Sequence, residues 1–203
     1  LEVPKGADQV VEIARGAAQK LAYFRAFGYG VLAPRGWYCF GTYGSGGSTL
    51  FVSSLPIKGT DFSQNQDGIA GPAVVVSATD GGSGGRFEVA QVIARVFPAR
   101  RAYVEGVASE VEPPIAFTFG PYPSDKLIVQ TERLVKFQTA PHSEGLGTMN
   151  RLKANNDPID GIAILEGTTP DLLMLRVRLP LKQRNLAPVI IQQLLLGQRS
   201  DAR

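Results

Sequence analysis

One cysteine, one histidine, one tryptophan and two methionines in 203 residues leave few routes to chemistry. A lone Cys39 excludes an internal disulfide and any multi-cysteine zinc site. A lone His142 excludes a histidine-rich metal centre, so no metal is expected. No apolar run reaches the ~20 residues that a helix needs to cross a bilayer, so no transmembrane segment is expected. Charge is also sparse: charged residues make up 19% and the formal net charge is +3. The basic residues are scattered, with the densest groups at Arg100-Arg101 and Lys182–Arg184. Nucleic-acid binders gather such residues on one face or along one helix, so no nucleic-acid partner is expected.

What remains is an ordinary globular composition, 44% apolar, in a chain long enough to bury a proper core. Nearly half of the aromatic residues lie between Tyr23 and Tyr43. Asp8 to Phe24 reads as a first helix, with Asp8 as N-cap and Val10, Ala14, Ala17, Leu21 and Phe24 three or four apart. Pro34-Arg35-Gly36 makes a turn. Trp37 to Tyr43 and Thr49 to Ser53 then read as strands joined through Gly44–Ser48. Ala73 to Ala78 (AVVVSA) is the continuous β-branched run of a strand buried on both faces.

A glycine-rich loop follows, and then a helix from Arg86 to Phe97. Glu88, Gln91 and Arg95 are its single polar stripe, and Pro98 stops it. Ala102 to Val107 and Ile115 to Phe119 are read as strands. So are Lys126 to Thr131, Leu134 to Thr139, Gly161 to Glu166 and Leu172 to Leu179. In the last of these, Arg176 and Arg178 alternate with Leu175, Val177 and Leu179, which predicts one face in and one out. Asn185 is read as the cap of a final helix over 185–197. Hairpins interrupted by helices predict a single α+β domain over residues 1–203, with a mixed, mainly antiparallel sheet and about three helices.

Three constellations bear on chemistry. Gly81-Gly82-Ser83-Gly84-Gly85 matches the nucleophile-elbow string G-x-S-x-G between a strand and a helix. A serine hydrolase would then use Ser83, Asp125 and His142. The same loop reads as a small-anion site, with the amides of Gly82, Ser83 and Gly84 at a helix start beside Arg86. It has no Walker lysine, and Phe87 stands where G-x-G-x-x-G needs its last glycine, so no nucleotide cofactor is expected. Cys39 with His142 would be a thiolate–imidazole pair, but a cysteine between Tyr38 and Phe40 reads more simply as a small core hydrophobe. Asn155, Asp157 and Asp160 supply oxygens without the calcium-loop spacing. The aromatic window reads first as a core hairpin burying Trp37 and Phe40 on one face. Its second reading is a ligand platform built on Trp37 and Tyr43.

The blocks APRGWYCFGTYGSGGSTLFV, GGRFEVAQVIARVFP and PDLLMLRVRLP together resemble a group of exported bacterial proteins with no assigned activity. The resemblance implies a bacterial source and a periplasmic or secreted location, and it brings no catalytic residues. A start at Leu1 in place of Met fits a cleaved export signal. The expectation is therefore a non-enzymatic exported protein that binds a small ligand or protein partner, such as a small anion or an envelope component. The serine hydrolase on Ser83 and His142 is its alternative.

Overall fold

A computed structural model describes residues 13, 15–57 and 68–201. Asp8 and Val10, the start of the expected first helix, lie outside these residues. Among the described residues of that stretch, only α1 (Arg15–Ala18) is helical. Leu21–Ala26 is instead strand β1, paired in antiparallel register with β2 (Tyr29–Pro34). The turn between them decides this. Phe27 and Gly28 both have positive φ, 54° and 88°, which is the two-residue turn whose twist matches a hairpin. Tertiary pairing therefore overrides the helical spacing of Leu21 and Phe24.

The main sheet has seven strands. They are β3 (Tyr38–Gly44), β4 (Gly47–Ser53), β5 (Ala73–Thr79), β6 (Asp125–Gln130), β7 (Leu134–Thr139), β8 (Ile159–Glu166) and β9 (Asp171–Arg178). Their order is β3-β4-β5-β9-β8-β7-β6, and every pairing between strands is antiparallel. The one parallel contact among the described residues is an isolated bridge, Ile69 to Leu152. The helices are α2 (Arg86–Val96), α3 (Arg101–Ala108) and α4 (Ala187–Asp201). The expected mainly antiparallel α+β domain is what forms, and no helix among the described residues is long and apolar enough to cross a membrane.

Two expected strands are not present. Ala102 to Val107 is helical, because Val104 and Val107 are buried three apart, a helical and not a strand spacing. Ile115 to Phe119 is irregular and pairs with no strand. Asn185 caps nothing; it lies inside a 3-10 segment, Leu181–Leu186, that precedes α4.

Alternation sorts the sheet into two faces. On one face Leu50, Val52, Val74, Val76, Leu173, Leu175 and Val177 pack under the β1–β2 hairpin and the Ile190, Ile191 and Leu194 stripe of α4. On the other face Val135, Phe137, Ala163, Leu172 and Met174 pack under α2 and α3. The remainder of that second face is covered by irregular chain, and there Phe51, Val75 and Ile159 meet Ile69 and Leu152.

Arg176 and Arg178 point into this second face and are both fully buried, so the expected solvated face does not exist. The helices and cross-connections that cover it lie far from β9 in sequence. The two arginines differ sharply. The Arg178 guanidinium donates to the carbonyls of Gly71 (3.0 Å), Ile69 (2.6 Å) and Lys153. Arg176 donates only at 3.4 Å, to Ser77 Oγ and Met174 Sδ, and its Nε and Nη1 are buried without a partner. Burial pulls both guanidinium pKa values down to about 10, so both remain cationic at neutral pH.

Opposite stabilities follow from this difference. Arg178→Met leaves the Ile69 carbonyl with the Lys153 amide but strips the part-buried Gly71 and Lys153 carbonyls of their partner at ~1–3 kcal/mol each, so urea unfolding is expected to show a loss of about 2 kcal/mol or more. Arg176→Met removes an under-satisfied buried charge, and the same measurement is expected to show a change within about 1 kcal/mol or a gain. Equal losses in the two variants would contradict this assignment.

Candidate functional site

The glycine loop from Thr79 to Gly85 packs against the tip of the β3–β4 hairpin. The Asp80 amide donates to the Gly46 carbonyl at 3.0 Å, and a side chain on Gly85 would run into that same carbonyl. Close backbone approach, not strained exposure of a serine, is what this glycine serves. Ser83 Oγ donates to the Asp80 carbonyl at 3.2 Å and accepts from the Gly85 amide at 3.4 Å. It is a turn-forming serine with no base beside it.

The remaining members of the expected triad lie elsewhere. Thr79 pairs with Leu172 and Leu172 with Leu165, whereas Thr139 pairs with Ile159 at the other end of β8. At ~3.3 Å per residue those ends are roughly 20 Å apart. Ser83 follows the first end, and His142 and Asp125 belong to the second. His142 is exposed at φ 56°, with its amide donating to the Asn155 carbonyl. Asp125 accepts from Thr139 Oγ1 at 2.5 Å and from the Leu146 amide at 2.9 Å. Burial pushes its carboxyl up, against those two bonds and nearby Arg95. It organises a turn.

The anion reading meets amides already in use. Of the three amides it named, Gly82 N–H donates to Asp80 Oδ1 (2.7 Å) and Ser83 N–H to the Asp80 carbonyl (3.5 Å), and the neighbouring Gly81 N–H donates to Asp171 Oδ1 (3.0 Å). Arg86 is also engaged: it pairs with Glu110, donates to the Ser83 carbonyl at 2.7 Å and lies over the Phe87 ring. Asp80, Asp171 and Glu166 border a recess on the adjoining side of this loop. The local field opposes a second anion.

The aromatic window divides. Trp37 is half-buried against the β1–β2 side, while Phe40 stacks on Phe51 on the opposite face, centroids 4.9 Å apart. The two do not share a face as expected. Tyr43 is 83% exposed and its ring leans on Phe27 at 5.8 Å. Tyr43 and Trp37 sit toward opposite ends of the same hairpin arm, so they form no common platform. Cys39 is exposed on the sheet's edge strand, not packed in the core, and desolvation still raises its thiol pKa.

What the fold does create is a cleft of about 300 Å³ between the hairpin tip and the start of α2. Thr42, Thr49, Thr79 and Glu88 border it, together with the glycine backbone at 44, 46, 47, 84 and 85. Gly84 is the one member of the sequence-predicted loop set that it shares with Gly85, and Tyr43 borders it with its ring turned to the other face. Glu88 is the residue that sequence reasoning passed over. Its Oε1 accepts from Asn150 Nδ2 at 2.9 Å, and that same nitrogen lies 3.2 Å from Ser77 Oγ. Ser77 in turn takes the Arg176 contact. A hydrogen-bonded chain thus runs from the cleft to a buried cation, and the carboxylate also sits in the first turn of α2, where the helix dipole favours negative charge. The only sequence signal was its place in the polar stripe of an otherwise buried helix.

Tyr103 anchors this end. Its hydroxyl donates to the Gly81 carbonyl at 2.8 Å, and desolvation, with Glu110 next, pushes its pKa up to about 12. A folded-state value above the unfolded 10 means that its stabilisation is complete below pH 10 and is lost as pH rises toward 12. Tyr103→Phe is expected to cost about 1 kcal/mol at neutral pH and to flatten the fall in stability over that alkaline window, read by urea unfolding across pH. A fluorophosphonate probe is expected to leave Ser83 unlabelled in the native protein, checked by intact mass; stoichiometric labelling would restore the hydrolase. No protein-family model, no curated protein and no solved structure matches this chain.

Proposed function

We propose that this is an exported, non-enzymatic binding protein, periplasmic or secreted, whose cleft takes a small ligand bearing hydroxyl or amine donors. Export rests on the resemblance of the three sequence blocks. Binding rests on one observation. Glu88 borders the cleft with one oxygen held by Asn150 and, among the described residues, no partner on Oε2. An oriented, charged acceptor beside the hydroxyls of Thr42, Thr49 and Thr79 suits an ammonium or a vicinal hydroxyl pair. The size of the cleft is at the small end of ligand sites and fits a single sugar-sized ring.

Catalysis has no comparable support, since the nucleophile candidate lacks a base and its hydroxyl is engaged with its own loop. D-glucosamine and D-glucose are suitable probes, one cationic and one neutral. Titration of either is expected to move the amide resonances of Gly44, Gly46, Gly47, Gly84 and Gly85 saturably. Glu88→Gln is expected to weaken glucosamine more than tenfold and glucose less, because only the amine gains a charge-assisted bond. Absence of shifts at those glycines with both probes sinks the reading.

A further inference from the structure

The two edges of the main sheet are built differently. Strand β6 carries Asp125 and Lys126 and a register irregularity between Leu127 and Val129, the devices that discourage edge pairing. Strand β3, YCFGTYG, has no charge, no proline and no register shift over its seven residues. Tyr38, Cys39, Gly41, Thr42, Tyr43 and Gly44 are all exposed.

The unpaired backbone groups follow from the hairpin. Gly44 and Gly47 close a two-residue loop, which makes them a hydrogen-bonded pair; Thr42, Phe40 and Tyr38 then also bond to β4. The N–H and C=O groups of Cys39, Gly41 and Tyr43 therefore point outward, away from β4.

We propose that β3 pairs with β3 of a second copy of this chain, antiparallel and centred on Gly41, so that one sheet runs through a two-fold dimer. Three features select a second copy. Gly41 is the midpoint of β3, so this register alone overlaps all seven residues and sets outward groups opposite outward groups. An uncharged strand places no like charges opposite one another, although the chain as a whole is +3. The protected β6 edge stops growth at two copies, closing the assembly. A foreign strand would instead draw its specificity from side-chain pockets along the edge. At the centre of β3 that space is taken by the Phe27 ring, which lies where a side chain on Gly41 would go.

The register makes a covalent test. Cys39 falls opposite Tyr43 of the second copy, as a hydrogen-bonded pair with Cα atoms about 5.5 Å apart, inside disulfide range. Within one chain, residues 39 and 43 are about 13 Å apart along the strand. Tyr43→Cys is therefore expected to oxidise to a disulfide-linked dimer on a non-reducing gel, while the parent chain, whose two Cys39 residues do not meet, is not. Sedimentation equilibrium of the parent chain is expected to give twice 21.7 kDa. Cys39→Pro removes an outward N–H and is expected to give a monomer with the parent's circular-dichroism spectrum and a melting temperature that no longer rises with protein concentration. Hydrogen exchange is the readout that needs no variant: slow exchange is expected at Cys39, Gly41 and Tyr43 as well as at their β4-bonded neighbours. A parent chain that stays monomeric from micromolar to millimolar concentration, or a Tyr43→Cys variant that cross-links no better than the parent, overturns the proposal and leaves the edge to a strand from another protein.

Discussion

A buried guanidinium that satisfies three backbone carbonyls is the constraint on which one half of this sheet depends. The second face of the sheet is covered in part by chain without regular structure, and such chain brings carbonyl groups into the interior with no ladder to satisfy them. Arg178 answers this from β9, reaching the carbonyls of Ile69, Gly71 and Lys153 with one rigid fork. Lysine offers the same charge but not the spread of donors. Around that cation the Ile69–Leu152 bridge forms, and Asn155 secures the Ala70 carbonyl at 2.6 Å. Two segments far apart in sequence are joined at one point.

The consequence travels to the cleft through Asn150. This residue and Arg151 both hold positive φ, 53° and 67°, immediately before the clamped segment. That left-handed turn is costly for side chains other than glycine, though least so for asparagine. It is sustained because the chain beyond it is fixed at Lys153. The turn delivers the Asn150 amide between Ser77 and Glu88. Arg176 completes the arrangement in the opposite manner from Arg178. A caged cation organises backbone; the orphaned one reaches the cleft only through Ser77 Oγ, which also accepts from the Asn150 amide. A buried charge left so poorly bonded costs several kcal/mol before compensation.

The sequence was legible where local pattern and tertiary fate agree. The AVVVSA strand, the buried helix after the glycine loop, and the later strand pairs stand where hydrophobic pattern places them. Leu21 to Phe24 was misread because apolar residues near a helical spacing also suit a hairpin, and the deciding turn is Phe27-Gly28, where Asn or Asp is the usual first residue. The arginines of β9 looked solvated because alternation says which residues share a face and nothing of what covers it. Of the site, the glycine loop could be found but not its role, since donors such as Gly81 N–H find their acceptor, Asp171, ninety residues away. Glu88 was visible only as part of a polar stripe; its importance depends on Asn150, Ser77 and Arg176, which no spacing rule connects.

Strand β3 carries part of both proposed features, and this limits how independent they can be. Its residues Thr42 and Gly44 border the cleft, while Cys39, Gly41 and Tyr43 offer their backbone outward. A strand laid against that edge would fix the twist and position of the hairpin tip, and the tip forms one wall of the cleft. Any difference in ligand affinity between the paired and the free edge must appear equally as a difference in pairing strength between the filled and the empty cleft. An uncharged, glycine-containing strand is a liability at a sheet edge if it serves only packing. Its uncharged, regular composition suits the edge pairing proposed for it.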